Sequence, residues 1–161
     1  MPQWTLFEQD FRVIDETLGE LIERTNAISV HLVDRSGQLI TSSGRVGDLD
    51  PTGFASLIAA EFTANAELAL MLGDHGVDAV VSEGKTRSVY SCLLAERVIM
   101  ATVYDRRSTL GLVRFRAHRA AQALDGVFRD LLEKVGLAEG AVAEPEFAAV
   151  AEQQVDALFG D

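Results

Sequence analysis

Residues 51–73, PTGFASLIAAEFTANAELALMLG, constrain the possible folds of this chain more than any other stretch. Asp50 suits the N-cap of a helix, Pro51 suits its first turn, and Gly73 suits the left-handed position just after its end. The stretch therefore predicts one long helix. Its apolar residues recur at spacings of three and four on two neighbouring faces rather than on one.

The two apolar faces of this helix have different expected partners. The face predicted to be buried consists of Phe54, Ile58, Phe62, Ala66, Ala69 and Leu72. The second face, which we call the outer stripe, consists of Leu57, Ala60, Ala64, Leu68 and Met71. A surface helix needs only one apolar face for its own core, and the alanines of the outer stripe would let another backbone approach closely. This favours a helix-to-helix or protein-to-protein contact, but a helix sunk between two layers also fits the spacing.

Length and composition limit the class of protein. A chain of 161 residues, 48% hydrophobic and 24% charged, suggests one globular domain. A formal net charge of −11 argues against nucleic-acid partners and against anionic membranes. No run of uncharged apolar residues reaches the roughly eighteen that a membrane span needs. One cysteine excludes an internal disulfide and fits a reducing compartment, so we expect a cytoplasmic protein without membrane insertion.

The remaining patterns predict helices and strands in a definite order. Helices are expected over 5–25, 51–73 and 109–135, and strands over 28–33, 38–43, 79–82, 87–94 and 97–104. Short connections favour antiparallel neighbours, and strand 97–104 is apolar on both faces, as in a middle strand covered by helices on both sides. We expect an α/β protein of the α+β type, with a five-stranded antiparallel meander sheet and helices on both faces. Strand 79–82 would lie at an edge open to a second copy, which predicts a homodimer with joined sheets.

The spacing of apolar residues also predicts the buried faces of the first and last helices. The first helix is expected to bury Phe7, Phe11, Ile14, Leu18, Leu21 and Ile22. The last helix is expected to bury Leu112, Phe115, Ala120, Leu124, Val127, Leu131 and Leu132. Residues 34–37 are expected to form a turn in which Gly37 has a positive φ.

The C-terminal part differs from the rest in charge. Residues 136–161 carry six acidic side chains and no Lys or Arg. We therefore divide the chain into a domain over 1–135, a flexible acidic linker over 136–146 and a C-terminal partner-binding segment over 147–161. The apolar side of that segment could enter a groove on a partner. A tail that folds back on its own domain remains an alternative.

Residues 79–86 come close to the phosphate-binding loop pattern but do not fit its geometry. That site needs a helix after the loop, and here a strand follows, with Glu83 where the phosphates would lie. Arg106 and Arg107 could act as an arginine finger toward a nucleotide, but surface charges beside a helix start are the favoured interpretation.

No other pattern indicates a self-contained active site. The histidines at 31, 75 and 118 are far apart and share no ligand-like spacing with Cys92, so we predict no metal and no cofactor. His31 is expected to be a packed or surface residue, and Cys92 a small buried hydrophobic residue. The sequence predicts a protein without catalytic residues, that is, not an enzyme.

Several runs together resemble the Roadblock (dynein light chain) superfamily and, within it, the MglB family. They are GKTRSVY at 84–90, VYD at 103–105, STLGLVR at 108–114, VDRSGQLI at 33–40 and VDALF at 155–159. The resemblance covers nearly the whole chain. It departs in mid-helix, where Glu61 and Phe62 stand where relatives tend to have very small residues.

The resemblance implies a homodimeric bacterial regulator of an MglA-like small Ras-family GTPase that sets cell polarity and drives gliding motility. Such regulators are GTPase-activating proteins that supply no arginine finger and reposition the GTPase's own catalytic residues. They are cytoplasmic and can concentrate at a cell pole. In this chain the implied GTPase-binding platform consists of Leu57, Ala60, Glu61, Ala64 and Leu68.

The resemblance also implies a second contact, in which the C-terminal segment binds the GTPase separately and can promote nucleotide exchange. The implied contact residues are Val155, Leu158 and Phe159. One alternative is a non-activating Roadblock-type scaffold that binds GTPases or other Roadblock proteins. Another, from a different class, is a small-molecule sensor domain, although the apolar strand 97–104 offers no polar group to recognise a ligand.

Overall fold

The computed structural model describes residues 8–142, which contain three helices and five strands. The elements are α1 (Glu8–Thr25), β1 (Ser29–Asp34), β2 (Leu39–Gly44), α2 (Pro51–Met71), β3 (Ala79–Glu83), β4 (Arg87–Leu94), β5 (Val98–Asp105) and α3 (Leu110–Val142). The predicted order is confirmed. Helix α3 continues to Val142, whereas the sequence predicted an end near Val135 and a linker from Gly136. The rest of the predicted linker and the C-terminal segment lie outside the described residues.

The five strands form one antiparallel sheet in the order β2-β1-β5-β4-β3. Strands β3, β4 and β5 follow one another as a meander. Strand β1 pairs with β5, whereas in a meander of all five strands β2 would pair with β3. As a result β5 is the central strand and β3 is an edge strand, as the sequence predicts. The register places His31 of β1 opposite Ala101 of β5 on one side and opposite Ser42 of β2 on the other.

Helices cover both faces of the sheet. Alternate residues of β5 enter two separate cores: Val98 and Met100 pack in the core beneath α1 and α3, and Ile99 and Ala101 pack in the core beneath α2. All of these β5 side chains are buried, with at most 1% of their surface exposed. The expected middle strand with helices on both sides is confirmed.

The buried faces of α1 and α3 differ in part from the predicted ones. The α1 core residues Ile14, Leu18 and Leu21 are buried as predicted, but Phe11 is half exposed. In α3, Leu112 and Phe115 were expected on the apolar face and are 38% and 54% exposed. The core residues of α3 are Val113, Ala117, Ala120, Ala121, Leu124, Phe128 and Leu131. Apart from the adjacent Ala120 and Ala121, successive members stand three or four residues apart, and the set begins at Val113 rather than Leu112. The buried face of the first turns is therefore rotated from the predicted one.

The β1–β2 turn and the β4–β5 turn both hold residues in the left-handed region. Gly37, in the turn between β1 and β2, has φ of 95°, so the predicted positive φ at this glycine is confirmed. The β4–β5 turn has Ala95 and Glu96 at φ of 51° and 60°, values that residues other than glycine rarely adopt. Asp125 of α3 accepts a hydrogen bond from the Ala95 amide at 2.8 Å and so ties this turn to the helix above it.

Candidate functional site

Helix α2 begins and ends through backbone contacts. Asp50 is the N-cap residue as predicted, but its side chain makes no capping hydrogen bond; its carbonyl oxygen instead accepts from the Phe54 amide at 2.9 Å. At the other end Gly73 has φ of 84°, and the Asp74 amide donates to the Ala69 oxygen at 2.9 Å. This left-handed exit is what the sequence predicts at Gly73.

One face of α2 closes the core on its side of the sheet. Ala55, Ile58, Ala59 and Phe62 are buried against residues such as Val33, Val80, Ile99 and Ala101. Phe62 is 1% exposed, so this departure from the family pattern belongs to the core and not to the surface of the helix. The prediction for Leu72 is wrong, because the helix ends at Met71 and leaves Leu72 87% exposed.

The outer stripe lies on the surface of the chain. Leu57 is 72% exposed, Leu68 55% and Met71 83%, and Ala60 and Ala64 are exposed as well. The interpretation of α2 as a helix sunk between two layers of its own domain is therefore wrong. An apolar row of this length on a surface is typical of a partner interface.

Two further features accompany this row. Leu70, which belongs to neither predicted face, is 54% exposed and extends the apolar surface at the end of the helix. Glu61, the remaining member of the predicted platform, is half-buried. By length and composition alone, α2 is also apolar enough to cross a membrane. One of its faces, however, is part of the folded core.

A groove beside the outer stripe brings in residues that the sequence did not assign to it. Ala60 and Ala64 line an open groove of about 490 Å³ together with Arg35, Ser36 and Gly37 of the β1–β2 turn. Arg35 thus places a cation next to the alanines of the stripe. The sequence marks this residue only as part of a turn, and its position depends on how the sheet crosses α2.

Asp34 holds this turn in place. Its carboxylate is fully buried, pairs with Arg97 Nε at 3.2 Å, and accepts hydrogen bonds from the amide and the hydroxyl of Ser36. Because Arg97 follows the β4–β5 turn, the pair connects the two turns at this end of the sheet.

A neutral histidine lies beneath the first turn of α2. His31 is 1% exposed, and its ring centroid lies 4.6 Å from that of Phe54. Its two ring nitrogens lie 2.8 Å from Ser42 Oγ and 2.9 Å from Ser29 Oγ. Burial lowers the pKa of His31 to about 4, since the charged form would lose its hydration. The sequence left His31 open as a packed or a surface residue; the structure shows it packed, beneath α2.

The edge strand β3 carries a free row of backbone groups. Gly84 N donates to Arg87 O, and Leu93 N donates to Asp78 O, so the β3 residues at even positions bond to β4. In an antiparallel pair the bonded residues alternate with residues whose N–H and C=O point away. Ala79, Val81 and Glu83 therefore present their backbone groups outward, toward any strand that pairs with this edge.

The other residues singled out in the sequence lie away from the outer stripe. Arg106 and Arg107 are exposed, and Arg107 Nε pairs with Asp105 at 3.0 Å, as surface charges would.

Cys92 is buried, which raises the pKa of its thiol to about 12. Within residues 8–142, no group of three or more His, Cys, Asp or Glu side chains could hold a metal ion. Val155, Leu158 and Phe159 lie outside the described residues, so their role stays a prediction.

Comparison with known proteins finds solved structures with the same fold. MglB of Myxococcus xanthus is 35% identical, with a TM-score of 0.73, and the match covers 79% of this chain and 96% of that chain. A gliding protein MglB from Thermus thermophilus is 25% identical over the same shares, with a TM-score of 0.74. A Roadblock/LC7 domain from Streptomyces avermitilis, 15% identical, covers 71% of this chain and 96% of its own, with a TM-score of 0.65. No protein-family model and no curated protein matches the chain.

These matches extend over almost the full length of each relative. An identity of 35% across 96% of the Myxococcus protein is a relationship in sequence as well as in fold. The resemblance to MglB inferred from the sequence runs is thereby confirmed, and the chain, which shares its fold with a Roadblock/LC7 domain, belongs to the MglB family.

Proposed function

We propose that this protein is a GTPase-activating regulator of a small Ras-like GTPase of the MglA type. The observation that carries the proposal is the outer stripe, an exposed apolar row on a helix whose other face is anchored in the core. Membership of the MglB family supports a GTPase as the partner. In this proposal Leu57, Ala60, Glu61, Ala64 and Leu68 form the platform that the GTPase contacts.

The working unit is a homodimer with joined sheets. The outward backbone groups of Ala79, Val81 and Glu83 are suited to pair with the same strand of a second copy. Such pairing would set the two α2 helices side by side, because each helix covers the same face of its sheet. The outer stripes would then form one continuous apolar platform across both copies.

Activation would work through the conformation of the GTPase. The chain needs no arginine finger if its platform binds one arrangement of the GTPase switch segments more tightly than the others. Hydrolysis of GTP depends on positioning the water and stabilising charge around the phosphoryl group, both of which a fixed switch arrangement supplies. A helix held rigidly on a sheet, such as α2, is suited to impose that arrangement.

The C-terminal segment would supply the second contact. We expect Val155, Leu158 and Phe159 to bind the GTPase at another place and to promote nucleotide exchange. Removing residues 143–161 should then slow exchange while leaving the platform intact. We also propose that the protein acts in the cytoplasm, in cell polarity and gliding motility, and that it can concentrate at a cell pole.

The experiment that tests the proposal is GTP hydrolysis by the GTPase under single-turnover conditions, with and without this protein. Faster hydrolysis supports an activator. Binding without acceleration would instead leave a Roadblock-type scaffold, which the outer stripe would serve equally well as a docking surface. If the protein does not bind the GTPase at all, the proposal is wrong.

A further inference from the structure

Positive charge is concentrated at the start of α3 in this acidic protein. Residues 106–124 contain five Arg and one His and no Asp or Glu, whereas the whole chain has a formal net charge of −11. Part of this charge lines a groove of about 370 Å³ between α1 and α3, on the side of the sheet away from the outer stripe. The groove is bounded by Thr17, Glu20, Leu21, Arg24, Arg116, Arg119, Ala120 and Ala123. Three guanidinium groups thus face a single carboxylate.

Two of these arginines lack a full set of partners. Arg24 pairs with Glu20 at 3.4 Å, which leaves Arg116 and Arg119 as the unbalanced cations of the groove. Arg116 Nε is buried and has no hydrogen-bond partner among residues 8–142. A buried guanidinium N–H without an acceptor is unfavourable, so this atom is suited to a carboxylate that enters the groove.

An exposed aromatic ring adjoins the same two arginines. The guanidinium carbons of Arg116 and Arg119 lie 5.5 and 5.6 Å from the centroid of Phe115, whose side chain is 54% exposed. A surface that combines unbalanced cations with an exposed ring is complementary to a ligand that is both acidic and apolar.

The C-terminal part of this chain has both properties. Residues 143–161 carry five acidic side chains and no Lys or Arg. The same residues include the apolar side chains Phe147, Val150, Val155, Leu158 and Phe159. Its charge and composition therefore match the groove on both counts.

The length of the segment also permits the contact. From Arg119 to the end of α3 at Val142 the distance is about 35 Å at the rise of a helix. The 19 residues that follow can span roughly 60 Å when extended, at about 3.3 Å per residue. At the rise of a helix the same 19 residues would span only about 28 Å, so the contact would need part of that length to be extended.

We propose that the C-terminal segment docks into the α1–α3 groove of its own chain, with its carboxylates on Arg116 and Arg119 and an apolar side chain against Phe115. Because the segment is tethered, its effective concentration is high and weak contacts suffice to hold it. The docked segment would be withheld from any other partner until that partner competes for it. This inference goes beyond the proposed activator function and does not need the GTPase.

The test uses the full chain with a nitroxide attached at Ala157→Cys. The native Cys92 is buried and stays unlabelled under native conditions. Nuclear magnetic resonance of the ¹⁵N-labelled protein then reports which backbone amides lie near the label. We expect the amide signals of residues 116–123 to be broadened in the labelled protein, and the broadening to be lost in Arg116→Glu/Arg119→Glu. The matched variant Arg87→Glu/Arg106→Glu makes the same charge change outside the groove and should keep the broadening.

Two controls keep the test decisive if the groove variant folds poorly. High salt should remove the broadening in the wild-type background while the core amide signals stay in place, because the contact is largely ionic. A mixture of nitroxide-bearing ¹⁴N protein with unlabelled ¹⁵N protein should show no broadening, since the contact is within one chain. Broadening at α2 instead, broadening only in the mixture, or none at all would overturn the proposal.

Discussion

His31 Nδ1 and Ser42 Oγ lie 2.8 Å apart at the face of the sheet that α2 covers. The second ring nitrogen lies 2.9 Å from Ser29 Oγ, so both polar atoms of the buried ring have a hydroxyl partner. A neutral imidazole has one donor and one acceptor, and two hydroxyls can satisfy both. This arrangement favours the neutral ring, and it lies beneath the first turn of the helix that carries the outer stripe.

The first prediction concerns acid stability. The unfolded chain takes up a proton at His31 near pH 6.5, whereas burial delays uptake in the folded chain to about pH 4. Unfolding is therefore coupled to proton binding in this window, and stability falls as the pH falls from 6.5 toward 4. Between pH 7 and pH 5 the loss from this residue is about 2 kcal/mol. Urea unfolding at both pH values should show a smaller loss for His31→Gln, and an equal loss in both proteins would contradict the account.

The second prediction concerns the ion pair that joins the two turns. Asp34→Ala removes the partner of Arg97 and the acceptor for Ser36. Since the carboxylate is fully buried, we expect a loss of about 2 kcal/mol in the free energy of unfolding. Glu20→Ala breaks the exposed pair with Arg24 and should cost less than about 0.5 kcal/mol, as surface pairs do. Similar losses in the two variants, measured by urea unfolding, would show that the buried pair has no special role.

The third prediction concerns self-association. Val81→Pro removes an N–H that points away from β4, so it should prevent strand pairing at the edge without breaking a bond within the chain. We expect a monomer by analytical ultracentrifugation, with circular dichroism unchanged. Val81→Ala keeps the N–H and should remain associated. If the proline variant associates as strongly as the wild type, the sheets do not join at β3.

The fourth prediction concerns the single cysteine. Cys92 lies on a central part of β4 with 7% of its surface exposed, and its pKa is raised to about 12 by burial. Only the thiolate reacts readily with disulfide reagents, so the native protein should react very slowly at pH 8. The rate should rise sharply above the denaturant midpoint. Fast labelling of the folded protein would mean that β4 opens far more often than its packing allows.

Local chemistry made several features predictable from the sequence. The bounds of β4, the left-handed positions of Gly37 and Gly73, and the two apolar faces of α2 all follow from residue type and spacing. The outer stripe was predictable because its apolar residues recur at spacings of three and four on a second face of the helix, and the domain's own core needs only one such face.

Other features depend on contacts between distant parts of the chain. The pairing of β1 with β5 cannot be read from local periodicity, and the exposure of Phe115 depends on which side of α3 meets the sheet. Arg35 lies at the candidate site because the fold places the β1–β2 turn beside α2. Such residues lie in turns or first helical turns, where sequence spacing does not fix the direction of a side chain.

The most direct test of the central claim is single-turnover GTP hydrolysis by an MglA-type GTPase with three forms of this protein. Leu68→Glu places a charge at an exposed position of the outer stripe, and Leu112→Glu makes the same change at an exposed site on α3. We predict that the wild type and Leu112→Glu accelerate hydrolysis equally, and that Leu68→Glu loses about tenfold in stimulation, or about 1.4 kcal/mol. All three forms must first show the same association state. Full stimulation by Leu68→Glu would contradict the account, since the outer stripe would then not be the surface that activates the GTPase.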